Sequence, residues 1–205
     1  MTVQRVAASA LALTAGALTL GAAVPAAAAD PATAGFSRVR IGTVGKLIAE
    51  KECFKDLAIQ HQSSKKFLEV HATGPSATRN TVRATGAKAA KGELFELCIL
   101  GPGSDEETAQ VYLRSQKVRQ FVQVDKVAGR RDGALRGRAS TLAASTDFDA
   151  VVVAETEAVF RFRSTYNDKW VTVERNYPGT DDELVRAGRP AAATGENFVL
   201  WAFGG

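Results

Sequence analysis

Only two histidines and two cysteines occur in the 205 residues, and there is a single methionine. So few ligating and nucleophilic groups leave little room for metal or acid–base chemistry. Cys53, His61, His71 and Cys98 are separated by 7, 9 and 26 residues. That spacing fits no zinc pattern, and no C-x-x-C pair is present. No motif places a nucleophile beside either histidine, so catalysis and bound cofactors are not expected. A helical period with caps is missing after residue 30, which argues against helical architectures. Beyond Val24 no apolar run is long enough to cross a bilayer. The formal net charge of +4 is mildly basic and selects no partner by itself.

The first residues contain Arg5, an apolar run from Val6 to Val24, and the sequence "PAAAAD" with Ala27 and Ala29 before Asp30. A positive start, an apolar core and an A-x-A end describe a secretory signal peptide, residues 1–29, cut after Ala29. A secreted, extracellular protein with no membrane span after cleavage is therefore expected. In an oxidising compartment the two cysteines are expected to form one disulfide, Cys53–Cys98. It would close a loop worth on the order of 4 kcal/mol in the chain-entropy model.

What remains is repetitive. Phe67, Phe121 and Trp170 each follow a polar turn-like segment and open an alternating strand: "FLEV", "FVQV", "WVTV". Eight residues before them stand Ile59, Leu113 and Phe162. Fourteen or fifteen residues after them begin Val82-Arg83-Ala84, Leu135-Arg136-Gly137 and Val185-Arg186-Ala187. Thirteen residues further come Phe95, Phe148 and Phe198. Each unit reads as four short strands, and Asp132-Gly133 is a hairpin signal inside the second. One such unit cannot bury its own apolar face, whereas three closed about an axis can. The expected fold is all-β: a β-trefoil over residues 57–205, with repeats at about 57–100, 111–154 and 159–203. Residues 30–56 are expected to form a disordered leader, "DPATAG", and an N-terminal hairpin or strand pair over Phe36–Glu52. Cys53 would tie that extension to the first repeat. Two trios, Phe67 with Phe121 and Trp170, and Phe95 with Phe148 and Phe198, are expected to line the interior.

The third unit, "VFRFRSTYNDKWVTVE…LVRAGRP…ENF", resembles the repeat of the fascin-like, or actin-crosslinking-like, β-trefoil family. The matching residues are Phe162-Arg163-Ser164, Asn167, Lys169, Trp170-Val171, Val185, Ala187, Arg189 and Asn197-Phe198. The second unit matches through Leu113-Arg114-Ser115, Phe121-Val122 and Leu135 to Phe148. The first keeps Ile59, Lys66-Phe67, Val82, Ala84 and Glu93-Leu94-Phe95. The turn glycine of the family repeat is Asp168 here. The resemblance implies a single β-trefoil domain of the secreted bacterial type. It further implies an accessory module that binds glycans; actin crosslinking, a property of tandem trefoils, is not expected.

Two sets of residues are candidates for ligand binding. Tyr166, Asn167, Asp168 and Lys169 place an aromatic ring beside polar turn groups, the chemistry that stacks on a neutral sugar. Tyr177 and Trp201 are further aromatic candidates. Arg130, Arg131, Arg136 and Arg138 belong to a basic stretch, from Arg114 to Arg138, that could hold an acidic or sulfated polysaccharide. No nucleic-acid motif accompanies it. The acidic groups Asp105-Glu106-Glu107 and Asp181-Asp182-Glu183 follow turn residues and read as solvated loops. The expected function is a monomeric, non-catalytic module for an extracellular glycan or polyanion. The alternatives are a proteinase inhibitor presenting Arg130-Arg131, or a structural, envelope-associated protein.

Overall fold

In a computed structural model, residues 33–39, 48–49, 53–105, 107–126, 129, 131–154, 159–175, 182–193 and 196–204 are described. The expected signal peptide lies outside them. Thirteen strands form one sheet system. A short first strand, β1 (Phe36–Arg38), precedes three sets of four. The first set is β2 (Cys53–His61), β3 (Phe67–His71), β4 (Thr81–Gly86) and β5 (Phe95–Pro102). The second is β6 (Thr108–Ser115), β7 (Gln120–Val124), β8 (Leu135–Ala139) and β9 (Asp147–Ala154). The third is β10 (Val159–Ser164), β11 (Trp170–Glu174), β12 (Leu184–Arg189) and β13 (Phe198–Phe203).

The first and last strands of each set close on one another. Antiparallel pairs run β2–β5, β5–β6, β6–β9, β9–β10, β10–β13 and β13–β2, so these six strands make a barrel without a free edge. The middle strands form hairpins β3–β4, β7–β8 and β11–β12. The hairpins meet through β4–β8, β12–β4 and an Ala134–Arg186 bridge. Three equivalent backbone bonds stitch them together: Ala84 N–H to Glu183 O at 2.9 Å, Gly137 N–H to Asn80 O at 2.9 Å, and Ala187 N–H to Gly133 O at 2.8 Å. At Gly133 a Cβ would stand 2.3 Å from Ala187 O, and φ is +82°. Only glycine meets both demands.

The core is built in layers of three. Phe95, Phe148 and Phe198 are all buried, as are Ile59, Leu113 and Phe162, and Val82, Leu135 and Val185; all join one cluster. The other expected trio does not. Phe67 packs in a separate group with Ala58 and Leu94, against Trp201. Phe121 and Trp170 are half-buried. Each of the three sits at a register shift, and the residue after it, Leu68, Val122 or Val171, enters the core instead. Two residues before each aromatic the backbone is left-handed, at Lys65, Arg119 and Asp168, with φ of 60°, 58° and 59°. The turn geometry therefore repeats three times although no unit places glycine there.

The N-terminal expectation is corrected at the residues that are described. Of the expected strand pair, Phe36–Arg38 form β1, which pairs with β13; residues 40–47 and 50–52 lie outside the described residues. Ile48 and Ala49 are helical, in a stretch of good helix formers. The end of the leader is ordered: Thr33 is buried, and Gly204 N–H donates to Gly35 O at 3.1 Å. Cys53 does not belong to an appended hairpin. It opens β2, directly opposite Cys98 on β5, and the two are joined as a disulfide. Among the described residues no helix is long and apolar enough to cross a membrane.

Candidate ligand-binding cleft

Tyr166, Asn167, Asp168 and Lys169 make the turn from β10 to β11. Asp168 N–H donates to Ser164 O at 3.0 Å, and Ser164 N–H donates to Lys169 O at 2.9 Å. Asn167 is a scaffold residue: its Nδ2 donates to Ala187 O at 3.0 Å, and its Oδ1 accepts Lys169 N–H at 3.3 Å. These bonds tie the turn to its hairpin and leave Tyr166 outside, 43% exposed. Asp168 pairs with Arg163 of β10.

Arg163 lies opposite Asp149 on β9, and Asp149 lies opposite Gln110 on β6. These polar residues project from the outer wall of the barrel. Asp149 is buried there, and its Oδ1 accepts Ser104 N–H at 3.2 Å from the β5–β6 turn. Gly103 permits that approach, since a Cβ would stand 2.8 Å from the same oxygen and 2.3 Å from Thr108 Oγ1. Ser104, Gln110, Asp149, Arg163, Thr165 and Asp168 thus line a cleft of about 380 Å³. The volume suits a sugar-sized ligand. Its walls offer carboxylate acceptors, an amide and a guanidinium, with the Tyr166 ring in the adjoining turn. Asp149, Gln110 and Ser104 were not singled out from the sequence. The available signal was an acid inside the apolar closing strand "DFDAVVV".

Asp147 flanks the same wall. Gln110 Nε2 donates to its Oδ2 at 3.1 Å and Thr146 Oγ1 to its Oδ1 at 3.3 Å. Burial pushes the Asp147 carboxyl above its ordinary value, against the lowering effect of these two hydrogen bonds. A raised folded-state value means that stability is complete below the ordinary carboxyl range and is lost as pH rises through the raised one. Asp147→Asn is therefore expected to raise the melting temperature at pH 7, with the gain vanishing below about pH 3. The third repeat already places Asn197 at this position. Thermal melts of both proteins across pH 2.5–7 check it; a gain that persists undiminished at the acid end would show that burial of a charge is not its cause.

The basic stretch does not form one open patch. Arg136 is buried: its Nη1 is 3.0 Å from Asp125 Oδ2, and its Nε donates to Arg79 O at 3.0 Å. Arg138 Nη2 is 2.9 Å from the other Asp125 oxygen. Arg131 Nη1 donates to Ala77 O at 3.3 Å, on the neighbouring hairpin. Arg130 and Tyr177 lie outside the described residues. Trp201 is half-buried, with Arg38 5.1 Å from its ring centre and its Nε1 donating to Gln60 Oε1 at 3.2 Å. Of the acidic groups, Asp105, Glu107 and Asp182 are exposed. His61 is buried, with Nδ1 2.8 Å from Ser64 Oγ. His71 Nε2 is 3.0 Å from Thr85 Oγ1, and burial followed by Arg83 pushes its value down.

Two other features gather polar groups. A wider cleft of about 560 Å³ lies between the third hairpin and the turn after β2. Its carboxylates are engaged, Glu174 with Arg186 at 2.7 Å and Glu196 with Ala193 N–H. Cys53, Cys98 and Glu96 lie close enough together to suggest a metal site. The disulfide removes both thiolates, however, and a metal would need them.

No family model and no curated protein matches the sequence. Similarity appears among solved structures. ThreeFoil, a designed 3-fold symmetric protein, aligns with a TM-score of 0.51 at 14% identity, over 70% of this chain and 96% of that one. A Caenorhabditis elegans protein of unknown function aligns at 0.56 and 8% identity, over 73% and 94%. The fold is β-trefoil-like. At such identities the likeness carries no function.

Proposed function

We propose that this chain is an exported, non-catalytic binding module of the fascin-like β-trefoil type, and that it recognises extracellular carbohydrate. The binding surface is the cleft of Ser104, Gln110, Asp149, Arg163 and Asp168, together with the ring of Tyr166. One observation carries the reading. Two carboxylates, an amide and a guanidinium converge on a sugar-sized cleft, and the exposed Tyr166 directly follows Thr165 of its lining in the chain. A carboxylate accepts from sugar hydroxyls, the amide and guanidinium donate to them, and a ring covers the apolar sugar face. Export follows from the pattern of residues 1–29, and the Cys53–Cys98 disulfide is compatible with it.

The polyanion reading at Arg130, Arg131, Arg136 and Arg138 is weaker, because Arg136 is enclosed and Arg138 is paired with Asp125. The inhibitor reading is weaker too, because Arg131 is half-buried and bonded to the neighbouring hairpin.

The test is retention on immobilised neutral oligosaccharides at low and high salt. Retention is expected at both salts. Tyr166→Ala is expected to weaken it about tenfold through lost stacking. Asp149→Asn is expected to weaken it by at least as much through a lost charged acceptor. A chain that passes every neutral sugar unretained overturns the proposal.

A further inference from the structure

The internal repeat supplies its own comparison. Moving one unit back along the chain, Asp149, Arg163, Ser164, Thr165 and Asp168 become Glu96, Arg114, Ser115, Gln116 and Arg119. These five residues line a cleft of about 350 Å³, as four of their counterparts, all but Ser164, line the first. The carboxylate–arginine pair is kept, with Glu96 Oε2 3.9 Å from Arg114 Nη1. At the third equivalent place the pair has become Val199 and Gln60, and Gln60 Oε1 accepts the Trp201 indole. Two of the three positions thus retain an open cleft with the same central pair.

The two clefts differ in charge. Where the first has Asp168, the second has Arg119, and both residues occupy the same left-handed turn position. The first is lined by two carboxylates against one guanidinium, the second by two guanidiniums against one carboxylate. Asp56 stands nearby, accepting Gln116 Nε2 at 3.1 Å. Among the described residues Arg114 is held by long contacts, 3.9 Å to Glu96 and 3.5 Å to Arg119 O, with Phe121 beneath it at 5.6 Å. Long contacts leave its fork available for a better partner. The second cleft also holds an orphan. Ser115 is 1% exposed, and its Oγ has no hydrogen-bond partner among the described residues. Its counterpart, Ser164 Oγ, accepts Tyr166 N–H at 3.2 Å. A buried hydroxyl without a partner is uncommon.

We infer that the Glu96–Arg114–Arg119 cleft is a second carbohydrate site, selective for a sugar residue that carries a carboxylate. Arg114 and Arg119 take the carboxylate, while Glu96 takes a ring hydroxyl. The inference rests on the proposed carbohydrate function and deepens it: one chain would hold a neutral and an acidic sugar on separate faces.

Calorimetric titration of the disulfide-bonded chain tests it, with a uronic-acid trisaccharide and the same trisaccharide after reduction of its carboxyl groups. The uronate is expected to bind more tightly than the reduced form, and less tightly as salt rises. Arg119→Asp is expected to cut uronate affinity by at least about tenfold. The variant should fold, since Asp168 already takes that backbone conformation. Lys126→Asp, an equal charge change at an exposed position outside both clefts, is expected to leave uronate affinity within about twofold. Equal binding of the two trisaccharides overturns the acidic site and leaves the proposed function standing. Undiminished binding by Arg119→Asp, or an equal loss in Lys126→Asp, also overturns it. Binding of neither trisaccharide overturns the acidic site, and retention on the neutral oligosaccharides then decides the proposed function separately.

Discussion

Replacing Phe198 with alanine is expected to cost about 3–5 kcal/mol, the range for emptying a buried aromatic site. The side chain is fully enclosed. Its ring centre lies 5.6 Å from that of His61 and 5.9 Å from that of Phe162. Phe95 and Phe148 complete its layer, so three closing strands converge on the space it fills. The neighbours come from different repeats and are held by barrel pairing, so collapse into the cavity would require strands to move. The loss should appear as a fall of about 10 °C in melting temperature for a domain of this size. The same truncation at Trp170 should cost clearly less, because that ring is half-buried and already meets water. Denaturant unfolding of both variants decides. Equal costs would mean that the two aromatic layers carry the fold alike, which contradicts the burial.

That contrast shows where the sequence was legible. Counting landmarks led to a β-trefoil-like fold, and the barrel closes through strands that contain Ile59, Leu113, Phe162, Phe95, Phe148 and Phe198. Choosing which aromatics face inward failed for a physical reason already present in the residue order. A strand alternates strictly, and Phe67 shares its parity with Glu69, Phe121 with Gln123, and Trp170 with Thr172. The parity that buries Leu68 and Val70 in the barrel core turns Phe67 away from it, into the separate buried group with Ala58 and Leu94. Ring size argued for the core; period decided against it. The candidate cleft was half legible. Tyr166 and Asp168 could be read because a turn is contiguous in sequence. Asp149, Gln110 and Ser104 come from other strands, and their meeting depends on barrel register, which local sequence does not fix. The basic stretch misled because it, too, was read as contiguous. Alternation puts Arg136 and Arg138 on the same face of β8, where both reach one buried aspartate; Arg136 is enclosed there and Arg138, nearer the strand end, stays exposed.

That aspartate is the second site where a single change should be severe. Asp125→Ala is expected to cost about 3–5 kcal/mol. The carboxylate is 1% exposed. It takes Arg136 at 3.0 Å, Arg138 at 2.9 Å and the Gln123 amide at 2.9 Å. Its removal strands the Arg136 guanidinium inside the cap, still bonded to the Arg79 and Ser76 carbonyls but with no opposing charge at the bond it loses. Arg138 suffers less, because it can turn to solvent. Arg136→Met should therefore hurt less than Asp125→Ala, since Arg138 remains to neutralise the aspartate. The double replacement Asp125→Ala with Arg136→Met should recover part of the loss, because no buried charge is then unmatched. A coupling of about 1–3 kcal/mol between the two positions is expected from the double-mutant cycle. Additive costs would show that the guanidinium is stabilised by its carbonyl partners alone. Arg136 would then be less committed to Asp125 than its geometry indicates, and the polyanion reading of the second repeat would regain its strongest residue.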